Sequence, residues 1–239
     1  MILYVNGDSH SAGAEAANNF CFGYDDPNYQ HLGRKPHPDN LKVSYGQQLA
    51  DLLSYQLTCD AESGSSNQRI LNTTYNYLEN HRPDLVIIGW ATWEREEVWV
   101  DGEPHQFSAG LILDCWPPVS QAVKDRYKEW VLTRQDVNVY CDQQQQEIHK
   151  LHEFLRSKSI PHIFFNTFSA LVDVDHLEWH NSYVGPYDHS QSYFNLLKSW
   201  GYQTVKQGNY HYPATAHTAW AEYLKNWLTT NFKESIITT

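Results

Sequence analysis

Positive charge is scarce in this chain: 17 Lys and Arg stand against 28 Asp and Glu, a formal net charge of −11 over 239 residues. Phosphate backbones are bound through clustered cations, so this balance argues against a nucleic-acid partner and disfavours anionic membrane surfaces. No segment reaches the roughly eighteen apolar residues that a membrane span requires. The N-terminus has neither the basic region nor the long apolar stretch of a secretory signal, so an untargeted, cytoplasmic protein is the expectation. Cysteines are few and far apart: Cys21, Cys59, Cys115 and Cys141 show no Cys-x-x-Cys spacing, which speaks against a disulfide framework and against a cysteine zinc site. The thirteen histidines include His149 with His152 on one helix face and His176 with His180 at i, i+4 spacing. Without a neighbouring Cys or Asp to complete a ligand pattern, they read as solvated helix histidines, and neither metal nor cofactor is expected.

What the chain does contain is typical of a globular protein: 41% hydrophobic and 19% charged residues. Nine Trp and sixteen Tyr form an excess with two readings, core packing or an aromatic-lined cleft for sugar rings and acyl groups. The length suits one α/β domain, and neither a repeat nor a linker divides it.

Apolar runs and turn signals outline the elements. Ile2 to Val5 is a buried strand that breaks at Asn6-Gly7 and delivers Asp8, Ser9 and His10 to a helix start. A polar, Pro-interrupted excursion follows at 18–40. Next come a helix at 44–55, a strand at 56–61, a Gly/Ser turn, a helix at 67–80 and a strand at 85–89. Three strand–turn–helix units in succession predict right-handed crossovers and a parallel sheet. Residues 91–118 read as irregular, 119–157 as helical with a break near Asp136, and 160–165 as a further strand. A mixed segment spans 167–207, with helical pieces around 190–200, and a last helix runs over 214–231.

The chemistry concentrates at the two ends. The turn Gly7-Asp8-Ser9-His10 places a serine at a strand end beside free backbone N–H groups, a position suited to a nucleophile. His211 stands ahead of Pro213 and the last amphipathic run, and in a parallel α/β sheet sites gather where strands end and helices begin. With Gly64-Ser65-Ser66-Asn67 between them, these blocks resemble the SGNH (GDSL-type) hydrolase superfamily. The resemblance implies a three-layer α/β/α sandwich of the flavodoxin-like kind, with a parallel sheet of about four to five strands and one domain over 1–239 with irregular insertions near 18–40, 91–118 and 167–207.

It also implies roles. Ser9 is the nucleophile and His211 the general base, with His217 the competing position. The N–H groups of Ser9 and Gly64 form the oxyanion hole. The superfamily's Asn donor after the third strand is missing from Gly89-Trp90-Ala91-Thr92, leaving Asn67, with Thr92 beside it, as stand-ins; a helix N-cap is the alternative role for Asn67. The Asp that usually precedes the histidine is also missing. Asn209 is the orienter at hand, or one of Asp173, Asp175 and Asp188 reaches in. Asp8 and His10 support the turn, and Arg95 is read as a salt-bridged loop residue. The expected activity is hydrolysis of a short acyl ester, including O-acyl carbohydrates, through an acyl-enzyme, without cofactor. The alternatives are sugar O-acyl transfer and non-catalytic ligand binding on the same fold.

Overall fold

The computed structural model describes residues 1–18, 35–108, 119–133, 137–172 and 177–232. Its centre is an apolar strand, β1 (Ile2–Asn6), that pairs on one side with β2 (Gln56–Cys59) and on the other with β3 (Leu85–Trp90). Before β2 lie α1 (Pro38–Lys42) and α2 (Tyr45–Leu53), the latter capped by Ser44; between β2 and β3 runs α3 (Asn67–Asn80), capped by Ser66. A hairpin follows, β4 (Glu96–Val100) and β5 (Glu103–Phe107), and then α4 (Gln121–Thr133) and α5 (Val137–Ser157). The sheet continues with β6 (His162–Asn166) and the two-residue β7 (Tyr183–Val184), and the described chain closes with α6 (Tyr193–Ser199) and α7 (Ala214–Asn231). The strand order is β2-β1-β3-β6-β7, and every neighbouring pair is parallel.

Alternation along the strands builds two cores, one on each face of this sheet. Leu3, Val5, Leu85, Ile87, Ile163 and Phe165 face α2, α6 and α7, where Leu49, Leu197, Trp220 and Leu224 are buried against them. Tyr4, Val86, Ile88 and Phe164 face the other way, onto Ile70 and Leu71 of α3 and Ile148, Leu151 and Leu155 of α5. The result is the expected three-layer α/β/α sandwich with a five-stranded parallel sheet. The aromatic excess is spent here: Tyr4, Tyr45, Trp90, Tyr193, Tyr212 and Trp220 are all fully buried.

Three expectations need correction. The helix after Ser9 is a run of turns, in which Ala12, Gly13 and Ala14 donate back to Asp8, His10 and Ser9. The stretch expected to be irregular over 91–118 contains the β4–β5 hairpin, because Asp101 (φ 52°) and Gly102 (φ 83°) both adopt the positive φ of a type I′ turn. Val98, Val100 and Phe107 of the hairpin pack on Val123, Tyr127 and Trp130 of α4 as a small separate core. Finally, His152 is not solvated. It is buried under Trp179 and beside His162, and burial pulls the two histidines down to about 3 and about 4. The expected break near Asp136 and most of the 18–40 excursion lie outside the described residues.

Candidate active site

Parallel strands point their C-terminal ends the same way, and the Ser9 turn forms at that end of the sheet. Its shape depends on Gly7, whose φ of 151° suits glycine; an added Cβ would run into Ser11 and sit 2.8 Å from the Gly89 carbonyl. Asn6 braces the turn from below, its carbonyl accepting from the Gly7 N–H at 2.7 Å while its amide reaches Thr74 at 2.8 Å in α3.

Asp8 is completely buried and carries three hydrogen bonds. The backbone N–H and Nδ1 of His10 reach one oxygen at 3.0 and 3.1 Å, and Arg95 Nη1 reaches the other at 2.9 Å. Burial alone would raise the Asp8 carboxyl, but His10 and Arg95 outweigh it and hold the group well below the usual carboxylate range. Arg95 also donates to the Ser65 carbonyl, and the Glu62 N–H donates to the Gly7 carbonyl, so the loop after β2 is tied against the nucleophile turn.

His211 Nε2 lies 2.9 Å from Ser9 Oγ. Its other ring nitrogen, Nδ1, lies 2.7 Å from Oε2 of Glu15. The group at Nδ1 is therefore a carboxylate, and it comes from the turn that carries Ser9, six residues beyond it. Asn209 does not touch the imidazole of His211. Its amide donates to Glu15 Oε2 at 2.5 Å and its carbonyl accepts from the His211 backbone N–H at 2.8 Å, because the turn before His211 leaves its side chain facing the carboxylate, not the ring. Lys206 Nζ completes the set at 3.0 Å from Glu15 Oε1. Partial burial works to raise Glu15, yet the hydrogen bonds from His211, Asn209 and Lys206 hold it at about 2. Burial and the neighbouring His10 push His211 below its ordinary value, with Glu15 acting in the opposite direction.

His217, the competing position, makes its hydrogen bond away from Ser9. It is buried in α7, its Nδ1 accepts from the Tyr45 N–H at 3.2 Å, and burial pulls it down to about 3. Asp188 is exposed and caps the short 3₁₀ turn His189–Gln191, away from the imidazole; Asp173 and Asp175 lie outside the described residues. His10 turns aside from Ser9, with its Nε2 3.2 Å from the Tyr210 carbonyl.

Of the expected oxyanion donors, the N–H groups of Ser9 and Gly64 make no hydrogen bond among the described residues. Gly64 adopts φ 85° and faces open space. Asn67 opens α3 as its first residue, Ser66 being the cap, and its buried amide donates to Gln144 Oε1 at 2.8 Å. Thr92 contributes its carbonyl to the Arg95 N–H, which shapes the loop that carries Arg95. Beside Arg95 and Gln144 opens a cleft of about 500 Å³, lined also by Leu71, Tyr140, Glu96 and Glu147. Its wall is mainly polar and acidic, with Tyr140 its one aromatic side chain among the described residues.

No family model matches the chain, and no curated protein matches it in sequence. Solved structures do. A carbohydrate esterase whose active site displays divergent catalytic and non-catalytic binding functions superposes with a TM-score of 0.52 at 15% identity, covering 99% of this chain and 66% of its own. TesA gives 0.49 at 14% identity, covering 97% of this chain and 100% of its own. An acetyl xylan esterase from the rumen bacterium Butyrivibrio proteoclasticus gives 0.47 at 12% identity, with 96% and 63% covered. What the chain shares with the first of these at such identity is the three-layer α/β/α fold, and it spans about two thirds of that carbohydrate esterase's length.

Proposed function

We propose that this protein is a serine esterase or deacylase that removes short acyl groups, with Ser9, His211 and Glu15 as its catalytic triad. The observation that carries the reading is the unbroken chain from Ser9 Oγ through the His211 imidazole to the Glu15 carboxylate, at 2.9 and 2.7 Å. A carboxylate only accepts, so Glu15 fixes the proton on Nδ1 and leaves the Nε2 lone pair for the serine hydroxyl. Nε2 takes the hydroxyl proton as Oγ attacks the ester carbonyl, and Glu15 stabilises the resulting imidazolium. The tetrahedral oxyanion falls to the N–H groups of Ser9 and Gly64 and the Asn67 amide. Collapse breaks the bond to the alcohol, which leaves with the proton from Nε2; water then repeats the sequence on the acyl-enzyme.

An O-acyl carbohydrate is the substrate class favoured by two considerations. The fold is shared with a carbohydrate esterase, and the polar cleft, tied to the site through Arg95 on Asp8 and Gln144 on Asn67, offers Tyr140 and carboxylate acceptors to a hydroxyl-rich group. Incubation with p-nitrophenyl acetate and a fluorophosphonate probe, beside Ser9→Ala, tests the reading. Labelling and turnover that disappear in the variant support it, and a wild-type protein inert to both reagents refutes it.

A further inference from the structure

A second cluster of chemistry lies at the opposite end of the sheet from Ser9, where β6 begins. The Ile160 carbonyl can only accept, so His162, whose Nδ1 is 2.9 Å away, carries its proton there and keeps a bare Nε2. That nitrogen is 2.7 Å from His152 Nδ1, which must therefore be the donor. The relay leaves His152 Nε2 as an unprotonated lone pair. It points at His180 Nδ1, 3.4 Å away, and at Glu153 Oε1, 3.5 Å away. The far nitrogen of His180 faces a second carboxylate, Glu178 Oε2, at 3.4 Å, which favours the proton on that side and a second lone pair on Nδ1. Glu153 Oε1 is met on one side by Arg156 Nη1 at 3.0 Å, while the two imidazole lone pairs have no donor between them among the described residues and repel one another unless a cation lies there.

We propose that His152, His180 and Glu153 bind a divalent transition-metal ion such as Zn²⁺. The spacing fits: bonds of about 2.0–2.1 Å in tetrahedral geometry separate two ligand atoms by about 3.3–3.4 Å. The three ligand atoms lie within 4.8 Å of one another, so a small closure completes the set. The Ile160–His162–His152 relay supplies the outer hydrogen bond that fixes a metal-binding imidazole in the correct tautomer. The His152 side chain is fully buried, while His180 and Glu153 are 37% and 48% exposed, so an ion enters from solvent and water completes its shell. Arg156 Nη1 donates to both Glu153 oxygens, at 3.0 Å to Oε1 and 3.3 Å to Oε2, so an ion taking Oε1 displaces the guanidinium onto Oε2. The left-handed backbone of His180 and Asn181 (φ 49° and 64°) is secured by Trp227 Nε1 donating to the Asn181 carbonyl at 3.0 Å. Since Ser9 lies at the other end of the strands, the ion's role is to staple α5 to the segment leading into β7.

The test is a Zn²⁺ titration of chelator-stripped full-length protein against a competing indicator, with Co²⁺ absorption as a check of geometry and thermal melts with and without metal. His180→Ala and Glu153→Gln are the variants, since both side chains reach solvent. One saturable equivalent is expected, with a tetrahedral Co²⁺ spectrum, a melting temperature raised by a few degrees, and affinity lowered roughly tenfold or more in each variant. No saturable binding, meaning that a His180 proton alone bridges the cluster, overturns the proposal. So does binding equally tight in His180→Ala, which assigns the ion to other groups.

Discussion

Replacing Glu15 by Gln separates two accounts of how His211 is held. Glu15 Oε2 sits 2.7 Å from Nδ1, with its side chain only 10% exposed, so little water is at hand to take its place. Glutamine preserves the volume but removes the charge that meets the imidazolium. It also offers an N–H to Nδ1, and that inverts the tautomer and turns Nε2 from acceptor into donor toward Ser9. Loss of a triad carboxylate in this way costs about 10³–10⁴ in kcat, or about 4–5.5 kcal/mol of transition-state stabilisation. Asn209 acts one step further out, through a single neutral amide donor to Glu15. Its removal in Asn209→Ala should cost about 1–1.5 kcal/mol, roughly tenfold, because Lys206 still holds the carboxylate. Steady-state hydrolysis of p-nitrophenyl acetate, with circular-dichroism melts to confirm folding, measures both. Glu15→Gln within about tenfold of wild type, or Asn209→Ala as the more damaging of the two, refutes the assignment of Glu15 as the triad acid.

Four further outcomes follow from the same geometry. Arg95→Ala leaves the buried Asp8 charge to His10 alone and should lower stability by on the order of 3 kcal/mol; an unchanged urea midpoint contradicts that ion pair's role. Catalysis needs neutral His211, and burial sets its pKa below the ordinary 6.5, so the acid limb of kcat/KM should fall below pH 6.5; a limb above that value argues against His211 as the base. His217 is held at about 3 while the unfolded chain protonates near 6.5. The unfolded state thus binds more protons in this window, and stability should drop by up to about 1.4 kcal/mol per pH unit as pH falls from about 6.5 toward about 3; His217→Gln should flatten that slope in urea titrations. Asn67→Ala should reduce kcat by about a hundredfold with KM little changed, and an unaltered kcat removes Asn67 from the oxyanion hole.

Much of the frame was legible because its signals are local. The Gly/Ser turn and the His81-Arg82-Pro83 stop bound α3 at the residues that the pattern marks, although its cap is Ser66 and not Asn67, and the apolar run ending at Asn6-Gly7 announces both β1 and the turn carrying Ser9. The β4–β5 hairpin was misread although Asp101-Gly102 is a strong hairpin signal, because Trp and Glu on the strands obscured the alternation of Val98, Val100 and Phe107. Glu15 was missed for a different reason. Its φ of 60° belongs to a left-handed turn, a conformation that carries no periodic signature, and the acids that the pattern offers as orienters, Asp173, Asp175 and Asp188, all lie in the C-terminal half of the chain. A signal did exist, since Glu15 is the single acidic residue between Asp8 and Asp25. His152 misled similarly, as helical spacing shows which residues share a face but not whether that face is buried.

The position of Glu15 changes what the site depends on. Ser9 and Glu15, the proposed nucleophile and acid, both sit on the segment from Asp8 to Ala16, so their separation is set by one turn whose own hydrogen bonds hold it, including Ala14 N–H to the Ser9 carbonyl and Ala16 N–H to the Gly13 carbonyl. His211, the proposed base, arrives from the other end of the chain, on the segment before α7, and is docked through the very groups that surround its partners. Lys206 and Asn209 bind Glu15, the Tyr210 carbonyl meets His10, and Tyr212 anchors the segment by burial and by donating to the Phe194 carbonyl at 3.0 Å. Orientation of the imidazole and docking of its segment are therefore one event, not two. The carboxylate proposed to stabilise the imidazolium also bonds Lys206, Asn209 and His211, and so helps hold residues 206–211 in place. A loss of Glu15 should accordingly lower both the chemical rate and the order of that segment, whereas a loss of Ser9 should lower the rate alone.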